Sequence, residues 1–213
     1  MVYFLLPLVA ALVSLGQAPS PATLPAVIPI FPLEEATLFP HATRPLLIFE
    51  PRYRAMIADA LKGDRIIGMV RLRPGFEAEY EGRPPIDPMG CAGRIIEYEQ
   101  LPDGRYTILL QGLTRFRVTR EEQGRSYRLA QVAAVAEATS PDDRFALRTS
   151  RERLEALLSA AGMELGADPG GDERVIDTVA QYLRMPSERR QQLLEMDGPL
   201  RRARALIDLL SAQ

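Results

Sequence analysis

The feature that most constrains the fold is a change of hydrophobic period near Ser140. Before it, apolar residues mostly alternate with polar ones between turn-forming sequences, which is typical of β-strands. After it, apolar residues recur every three or four positions, which is typical of amphipathic helices. We therefore predict an α+β fold with a β-rich subdomain over residues 27–138 and a helical bundle over residues 139–213.

The segment CAGRIIEYEQLPDGRYTILLQG, residues 91–112, predicts a β-hairpin. Apolar residues alternate on both sides of Pro102-Asp103-Gly104, a sequence typical of a tight turn. Further strands are predicted at residues 65–72 and on both sides of a Gln123-Gly124 turn. VIPIFPL, residues 27–33, is expected to be an edge strand, because proline cannot donate a hydrogen bond to a central ladder.

A strand at residues 46–49 is predicted to lead into one amphipathic helix. Pro51 suits the first helical position, where its missing N–H costs nothing. Gly63 is expected to stop the helix at its C-terminus. The apolar face of this helix comprises Tyr53, Met56, Ile57, Ala60 and Leu61.

Apolar stripes predict four helices in the second half of the chain. The third is expected to have Ser187 as its N-cap, and Pro199 is expected to start the last. The stripes are Leu147, Leu154, Leu158 and Ala161; Val175, Ile176, Val179, Tyr182 and Leu183; Leu193 and Leu194; and Leu200, Ala203, Ile207 and Leu210.

Residues 1–26 contain no charged side chain and resemble an export signal followed by a proline-rich linker. Gly16-Gln17-Ala18 would be an acceptable cleavage site, and no stable membrane span is expected once this leader is removed. The pattern favours export to the periplasm, although a basic n-region is missing. The alternative is a start codon assigned too early, which would leave the protein in the cytoplasm.

Composition excludes several kinds of site. With 26 basic and 28 acidic residues, the formal charge of −2 argues against a dedicated nucleic-acid binder. A single cysteine and a single histidine cannot form an internal disulfide or a zinc site of nitrogen and sulfur ligands. The motifs of phosphate loops, dinucleotide sites and serine nucleophiles are missing from the sequence. We therefore expect no cofactor, no metal and no enzymatic activity.

Three alternatives stay open from the residues alone. Cys91 and His41 could form a nucleophile and base in a cryptic hydrolase, although Cys91 has the context of a buried thiol and His41 that of a turn with unusual φ. The β-rich half could bind RNA through a positive face made of Arg94, Arg105, Arg115 and Arg117, without matching exposed aromatic side chains. The long loop at residues 74–88 could hold a small ligand.

Several motifs together resemble the N-terminal, substrate-binding LON domain of Lon proteases over roughly residues 27–211. They are IPIFPL, LFP, RPLLIFEPRYRAMI, GCAGRI, LPDGRYTILLQGLTRFRV and RMPSERRQQLLEMDGPLRRARALIDLL. The resemblance implies a PUA-like β-barrel followed by helices. The ATPase and peptidase motifs of Lon are missing before Gln213, so it also implies a stand-alone, non-catalytic domain. His41 departs from the family, which more often has glycine there.

The resemblance also implies a polypeptide or protein partner, bound through an apolar groove or an exposed strand edge. The family-motif residues are expected to be mostly structural, with Glu50 and Arg52 joined by charge-assisted hydrogen bonds. A core between helix and barrel is predicted from Phe39, Ile48, Phe49, Tyr53, Met56 and Ile57. The full motif set is Phe39, Pro40, Ile48, Phe49, Glu50, Pro51, Arg52, Tyr53, Gly104, Arg105, Gly112 and Phe116.

Overall fold

The computed structural model describes residues 24–35, 37–76, 80, 82–137, 139–165 and 170–212. The predicted leader, with its cleavage site after Ala18, lies outside the described residues except for its last three positions. The elements, in chain order, are β1 (Val27–Leu33), β2 (Thr43–Ile48), α1 (Pro51–Leu61), β3 (Ile66–Leu72), β4 (Ile86–Gln100), β5 (Tyr106–Glu122), β6 (Arg128–Val135), α2 (Pro141–Ala160), α3 (Asp172–Tyr182), α4 (Ser187–Glu195) and α5 (Pro199–Ser211). The predicted α+β class is confirmed.

The strands form one mixed sheet in the order β2-β5-β4-β3-β1-β6. Because β5 also pairs with β6, the pairings of β1, β3, β4, β5 and β6 close into a ring, and β2 is added to β5 from outside. β5 can pair on both sides because it is 17 residues long, which places its last part beside β6. The sequence predicted two separate strands here, and the structure has one continuous strand.

The prediction that β1 is an edge strand is wrong. β1 pairs antiparallel with β6 through Val27–Ile30 and parallel with β3 through Ile30–Leu33. The two registers overlap only at Ile30, so each proline lies where a single neighbouring strand is paired. Pro29 and Pro32 are therefore tolerated inside the ring without breaking a ladder on both sides.

Helix α1 follows the predicted pattern closely. It starts at Pro51 and buries Tyr53, Met56, Ile57 and Ala60. The helix ends at Leu61 with Lys62 as its C-cap, so Gly63 follows the end as predicted. Gly63 does not have a positive φ, however, and the residue that does is Arg65, at 58°. Arg65 is held there because its N–H donates to the carbonyl of Ala60, while its own carbonyl accepts from Ile95 on β4.

Phe49 is a second correction, because its side chain is 61% exposed rather than part of the core. Strand β2 begins at Thr43, earlier than predicted, and its last residue Ile48 faces inward at 1% exposure. Successive side chains of an extended segment point to opposite faces, so Phe49 points outward. The other five predicted core residues are all buried.

The helices of the second half differ from prediction only at their ends. Ala161 and Tyr182 are exposed rather than inward-facing. Ser187 is the first residue of α4, and Pro186 is the N-cap. The loop predicted at residues 74–88 is shorter, because β4 already begins at Ile86.

One hydrophobic cluster extends from the β-rich half into the helices, and a second, smaller one lies among the strands. Polar side chains also join the two halves: the Gln181 amide oxygen accepts from the N–H of Phe39 at 3.1 Å, and the Gln191 amide donates to the carbonyl of Met89 at 3.0 Å. The boundary at residues 138 and 139 stays a prediction.

An arginine- and tyrosine-lined cleft

A cleft of about 220 Å³ lies where the first turn of α1, the end of β3, the loop before β4 and the start of β6 meet. Four arginines and three tyrosines line it, and no acidic residue does so among the described residues. We call it the arginine–tyrosine cleft. Its lining is Pro32, Arg52, Tyr53, Leu72, Tyr80, Gly82, Arg83, Pro84, Arg125, Ser126, Tyr127 and Arg128.

Glu50 fastens the loop to the start of α1. Its carboxylate accepts from Arg52 Nε at 3.0 Å and from the Tyr80 hydroxyl at 2.7 Å. Arg52 in turn donates to the carbonyl of Tyr80 at 3.1 Å, and its guanidinium lies 4.7 Å from the ring centres of both Tyr53 and Tyr80. The predicted Glu50–Arg52 contact is therefore present, and it forms one wall of the cleft.

Two other carboxylates support the opposite wall. Glu121 accepts from Arg128 Nε at 2.8 Å and lies 3.5 Å from Arg83. Asp59 accepts from the Tyr127 hydroxyl at 2.9 Å and lies 3.6 Å from Arg125. Arg83 and Arg125 thus have the longer ion-pair distances of the four lining arginines, and the Arg125 side chain is 58% exposed.

The three tyrosines are suited to contact rather than to proton transfer. Burial raises the pKa of Tyr53, and the neighbouring Tyr80 raises it further. Burial also raises the pKa values of Tyr80 and Tyr127, with added contributions from their hydrogen bonds to Glu50 and Asp59. All three hydroxyls therefore stay neutral at physiological pH.

A second cavity of about 300 Å³ adjoins the cleft and shares Leu72, Tyr80 and Pro84 with it. Its other lining residues are Glu34, Arg73 and Phe76, and Phe76 is 36% exposed. We call it the Phe76 cavity. Together the two recesses form a groove with a cationic end and a more apolar end.

The structure does not bring Cys91 and His41 into one site. Cys91 is fully buried on β4, and burial raises the pKa of its thiol well above the ordinary value. His41 has a φ of 61°, as its turn context predicted, and lies 3.7 Å from Glu173. It lines a different cavity, between the turn before β2 and the starts of α2 and α3.

The four arginines proposed as a positive face do not act together. Arg115 is 2% exposed and donates to the carbonyls of Leu194 and Met196 at 3.1 and 2.7 Å. Arg105 donates to Asp103 in the hairpin turn at 2.7 Å. Only Arg94 and Arg117 of this group are exposed without a carboxylate contact shown for them in the described part of the chain.

Of the motif residues, Arg52 and Tyr53 line the cleft and Glu50 supports it. Of the others, Phe39, Pro40, Ile48, Gly112 and Phe116 are buried, and Gly104 has a φ of 83° in the hairpin turn. That these residues are mostly structural stays a prediction. Sequence reasoning missed the lining residues Arg125, Tyr127 and Arg128. Tyr80 and Arg83 belong to the loop that the sequence had marked as a possible ligand site.

No helix in the part of the chain that the structure describes has both the length and the apolar character that crossing a bilayer requires. No group of three or more potential metal ligands comes together in the same part of the chain.

Comparison with known proteins agrees with the family resemblance of the sequence motifs. A family model described as the ATP-dependent protease La (LON) substrate-binding domain matches residues 27–212. Lon protease 2 of Myxococcus xanthus is 32% identical over 197 residues, which cover 88% of this chain and 24% of that protein. The Lon protease of Anaeromyxobacter dehalogenans is 29% identical over 88% of this chain and 23% of its own length. The chain thus spans about a quarter of these relatives.

Solved structures agree on the fold. The N-terminal domain of a Mycobacterium avium complex Lon protease superposes with a TM-score of 0.65 at 19% identity, covering 87% of this chain and 98% of that one. A Lon N-terminal domain protein from Xanthomonas campestris gives a TM-score of 0.60 at 26% identity, covering 85% and 97%. The match of the family model over nearly all described residues shows that this chain belongs to the Lon substrate-binding domain family.

Proposed function

We propose that this protein is a binding module for polypeptide segments and that the segment lies in the groove formed by the arginine–tyrosine cleft and the Phe76 cavity. The observation that carries the proposal is the meeting of the family-motif helix and the long loop at one concave surface. Membership of a family described by substrate binding supports the same conclusion.

The dimensions of the groove favour an extended chain over a compact ligand. Each recess, of about 220 and 300 Å³, is at or below the lower end of the range found for small-molecule pockets. Two joined recesses of this size fit neighbouring side chains of one peptide. Aromatic rings at both recesses offer rigid contact area at a low cost in conformational entropy.

The edge of β2 is a weaker candidate for the same role. The carbonyl of Thr43 points away from β5, because it accepts from the Gln181 amide and the Tyr182 hydroxyl at 2.6 and 2.5 Å. Two positions along, Pro45 has the same orientation and no N–H to offer. Little of this edge can therefore pair with an added strand, although Leu47 beyond it is 48% exposed.

The proposal is tested with an array of overlapping peptides from α-casein, an unfolded protein, probed with the purified chain. We expect a subset of peptides to bind and Phe76→Ser to weaken that binding, because it removes the aromatic wall of the second recess. Phe145→Ser is the matched control, since Phe145 is 80% exposed on α2 and lines neither recess. No binding to any peptide, or equal loss in both variants, would contradict the proposal.

A further inference from the structure

We propose that the arginine–tyrosine cleft takes a carboxylate of the bound polypeptide, so that the groove selects segments in which an acidic group neighbours an apolar side chain. This inference rests on the polypeptide binding proposed above and names the chemistry that it recognises.

The first support is the balance of charge at the cleft. Four arginines line it, whereas the acidic partners shown for them are three carboxylates, those of Glu50, Asp59 and Glu121, which lie outside the lining. Glu121 serves two arginines at once. Among the described residues, the walls thus carry one more positive charge than the carboxylates shown to contact them, and every charged side chain that lines the cleft is an arginine.

The second support is that the hydrogen bonds and ion pairs of the lining arginines differ in strength. Arg52 and Arg128 are fixed by short contacts to Glu50 and Glu121 and by bonds to the carbonyls of Tyr80 and Pro84. Arg83 donates to the carbonyl of Glu122 at 3.0 Å, whereas Arg125 lies 3.6 Å from Asp59, beyond ordinary hydrogen-bond distance, and its side chain is 58% exposed. The Arg125 guanidinium can therefore turn towards a ligand carboxylate, which arginine binds well through paired N–H donors.

The opposite end of the groove gives the bound segment a direction. The Phe76 cavity contains Glu34, and its Arg73 lies 3.2 Å from Asp87. A ligand carboxylate is therefore bound less favourably in the Phe76 cavity than in the arginine–tyrosine cleft. The acidic group is therefore expected beside Arg83 and Arg125, with the apolar side chain against Phe76.

Three synthetic peptides in a Gly-Ser background serve as probes: an amidated peptide containing Leu-Phe-Asp, the same peptide with asparagine in place of aspartate, and a neutral peptide ending in Leu-Phe with a free carboxyl terminus. Affinity is measured by fluorescence anisotropy at low salt. We expect the aspartate peptide to bind roughly tenfold more tightly than the asparagine peptide, as one charge-assisted hydrogen bond provides. The third peptide shows whether the C-terminal carboxylate serves as well as a side chain.

The variants Arg125→Gln and Arg83→Gln locate the effect. Each should reduce the preference for aspartate over asparagine, measured as the ratio of the two affinities in the same variant. Arg94→Gln is the matched control, because Arg94 is exposed on β4 and does not line the groove. Far-ultraviolet circular dichroism confirms that every variant is folded.

The outcomes separate this inference from the proposed function. Equal binding of the aspartate and asparagine peptides overturns the carboxylate site and leaves polypeptide binding intact. No binding of these probes or of the casein array overturns both. Loss of the aspartate preference in Arg94→Gln to the same extent would show a general charge effect and also overturn the site. A single-stranded RNA that displaces the peptide at low salt would show that the cleft accepts phosphates rather than selecting carboxylates.

Discussion

Arg202 on α5 lies at 0% exposure between two carboxylates from other parts of the chain. Its Nε donates to Asp177 of α3 at 2.8 Å, and its Nη1 donates to Glu137 at 2.8 Å. Glu137 also contacts the buried Arg115 of β5. Removing one side chain of such a network leaves an uncompensated buried charge, so a substitution that truncates a partner strongly destabilises the folded protein.

Asp177 should make stability depend on pH. Burial raises its pKa from 3.8 to about 8, against the lowering effect of Arg202. Between these values the folded protein keeps a proton that the unfolded chain releases, so the free energy of unfolding falls as pH rises, by at most about 1.4 kcal/mol per pH unit. Asp177→Asn cannot titrate there. Urea unfolding from about pH 5 to about pH 8 should therefore show the original chain losing stability relative to this variant.

The control for that experiment is Asp208→Asn, an exposed position on the same helix as Arg202. It should shift the pH profile little, because its carboxyl is solvated. Parallel profiles for the original chain and Asp177→Asn would show that Asp177 is ionised throughout the range.

Gly112 is required by a close approach of two chain segments. A Cβ atom at this position would lie 1.9 Å from the carbonyl oxygen of Phe39. The same segments are joined by backbone hydrogen bonds between Gly112 and both His41 and Ala42. We expect Gly112→Ala to destabilise the protein by about 1–3 kcal/mol, as overpacking typically does, measured by urea unfolding.

Gly63→Ala is the matched control, since the nearest atom to its added Cβ lies at an ordinary 4.0 Å and its φ is not positive. It should be nearly neutral. Equal destabilisation by the two substitutions would mean that backbone freedom, rather than the contact with Phe39, explains the glycine.

At the scale of elements, the described residues of the loop before β4 are held by several contacts. The Tyr80 hydroxyl donates to Glu50, and the Tyr80 carbonyl accepts from Arg52. The Pro84 carbonyl accepts from Arg128, and Arg83 donates to the carbonyl of Glu122. Glu50 therefore contributes one bond that holds Tyr80 beside the first turn of α1.

Tyr80→Phe should loosen this loop without removing its ring. It deletes only the hydrogen bond to the Glu50 carboxylate, and a bond to a charged group is worth enough to raise the open population about tenfold. Cleavage by a glutamate-specific endopeptidase after Glu77, Glu79 and Glu81 should be faster to a similar degree, because proteolysis follows the open population. Tyr98→Phe is the control, as Tyr98 is 49% exposed at the far hairpin. Unchanged cleavage in Tyr80→Phe would show that the other contacts hold the loop without this bond.

Elements with local signals could be predicted from the sequence, and their arrangement could not. Helix α1 and the hairpin around Gly104 have a clear period, caps and turn residues, so both were placed correctly. The position of β1 depends on pairing with β3 and β6, which come much later in the chain, and its prolines suggested an edge. The part of the cleft formed by Arg125, Tyr127 and Arg128 was missed for the same reason, because these residues carry no local pattern that points to α1.

At the scale of the whole molecule, strands and helices share one hydrophobic cluster. It contains Ile57 and Leu110 from the first half together with Ile176, Leu193 and Leu206 from the second. Arg115 adds polar bonds from β5 to the end of α4. Neither half can open without exposing apolar surface of the other.

We therefore expect a single cooperative unfolding transition. Tyrosine fluorescence, which reports mainly on the first half because five of the seven tyrosines lie between residues 53 and 127, and helical circular dichroism should give the same urea midpoint. Leu206→Ala, at 0% exposure on α5, should lower both midpoints together, with a loss of about 2–5 kcal/mol. Two separate midpoints, or a shift of the helical signal alone, would show that the halves are independent units.

The position of β1 has a consequence for synthesis on the ribosome. This strand leaves the exit tunnel before the other described strands. It pairs with β6 up to Ile30 and with β3 from Ile30 onward, and β6 ends only at Val135. The nascent chain consequently keeps this apolar, aggregation-prone strand without one of its two partners until β6 has been translated.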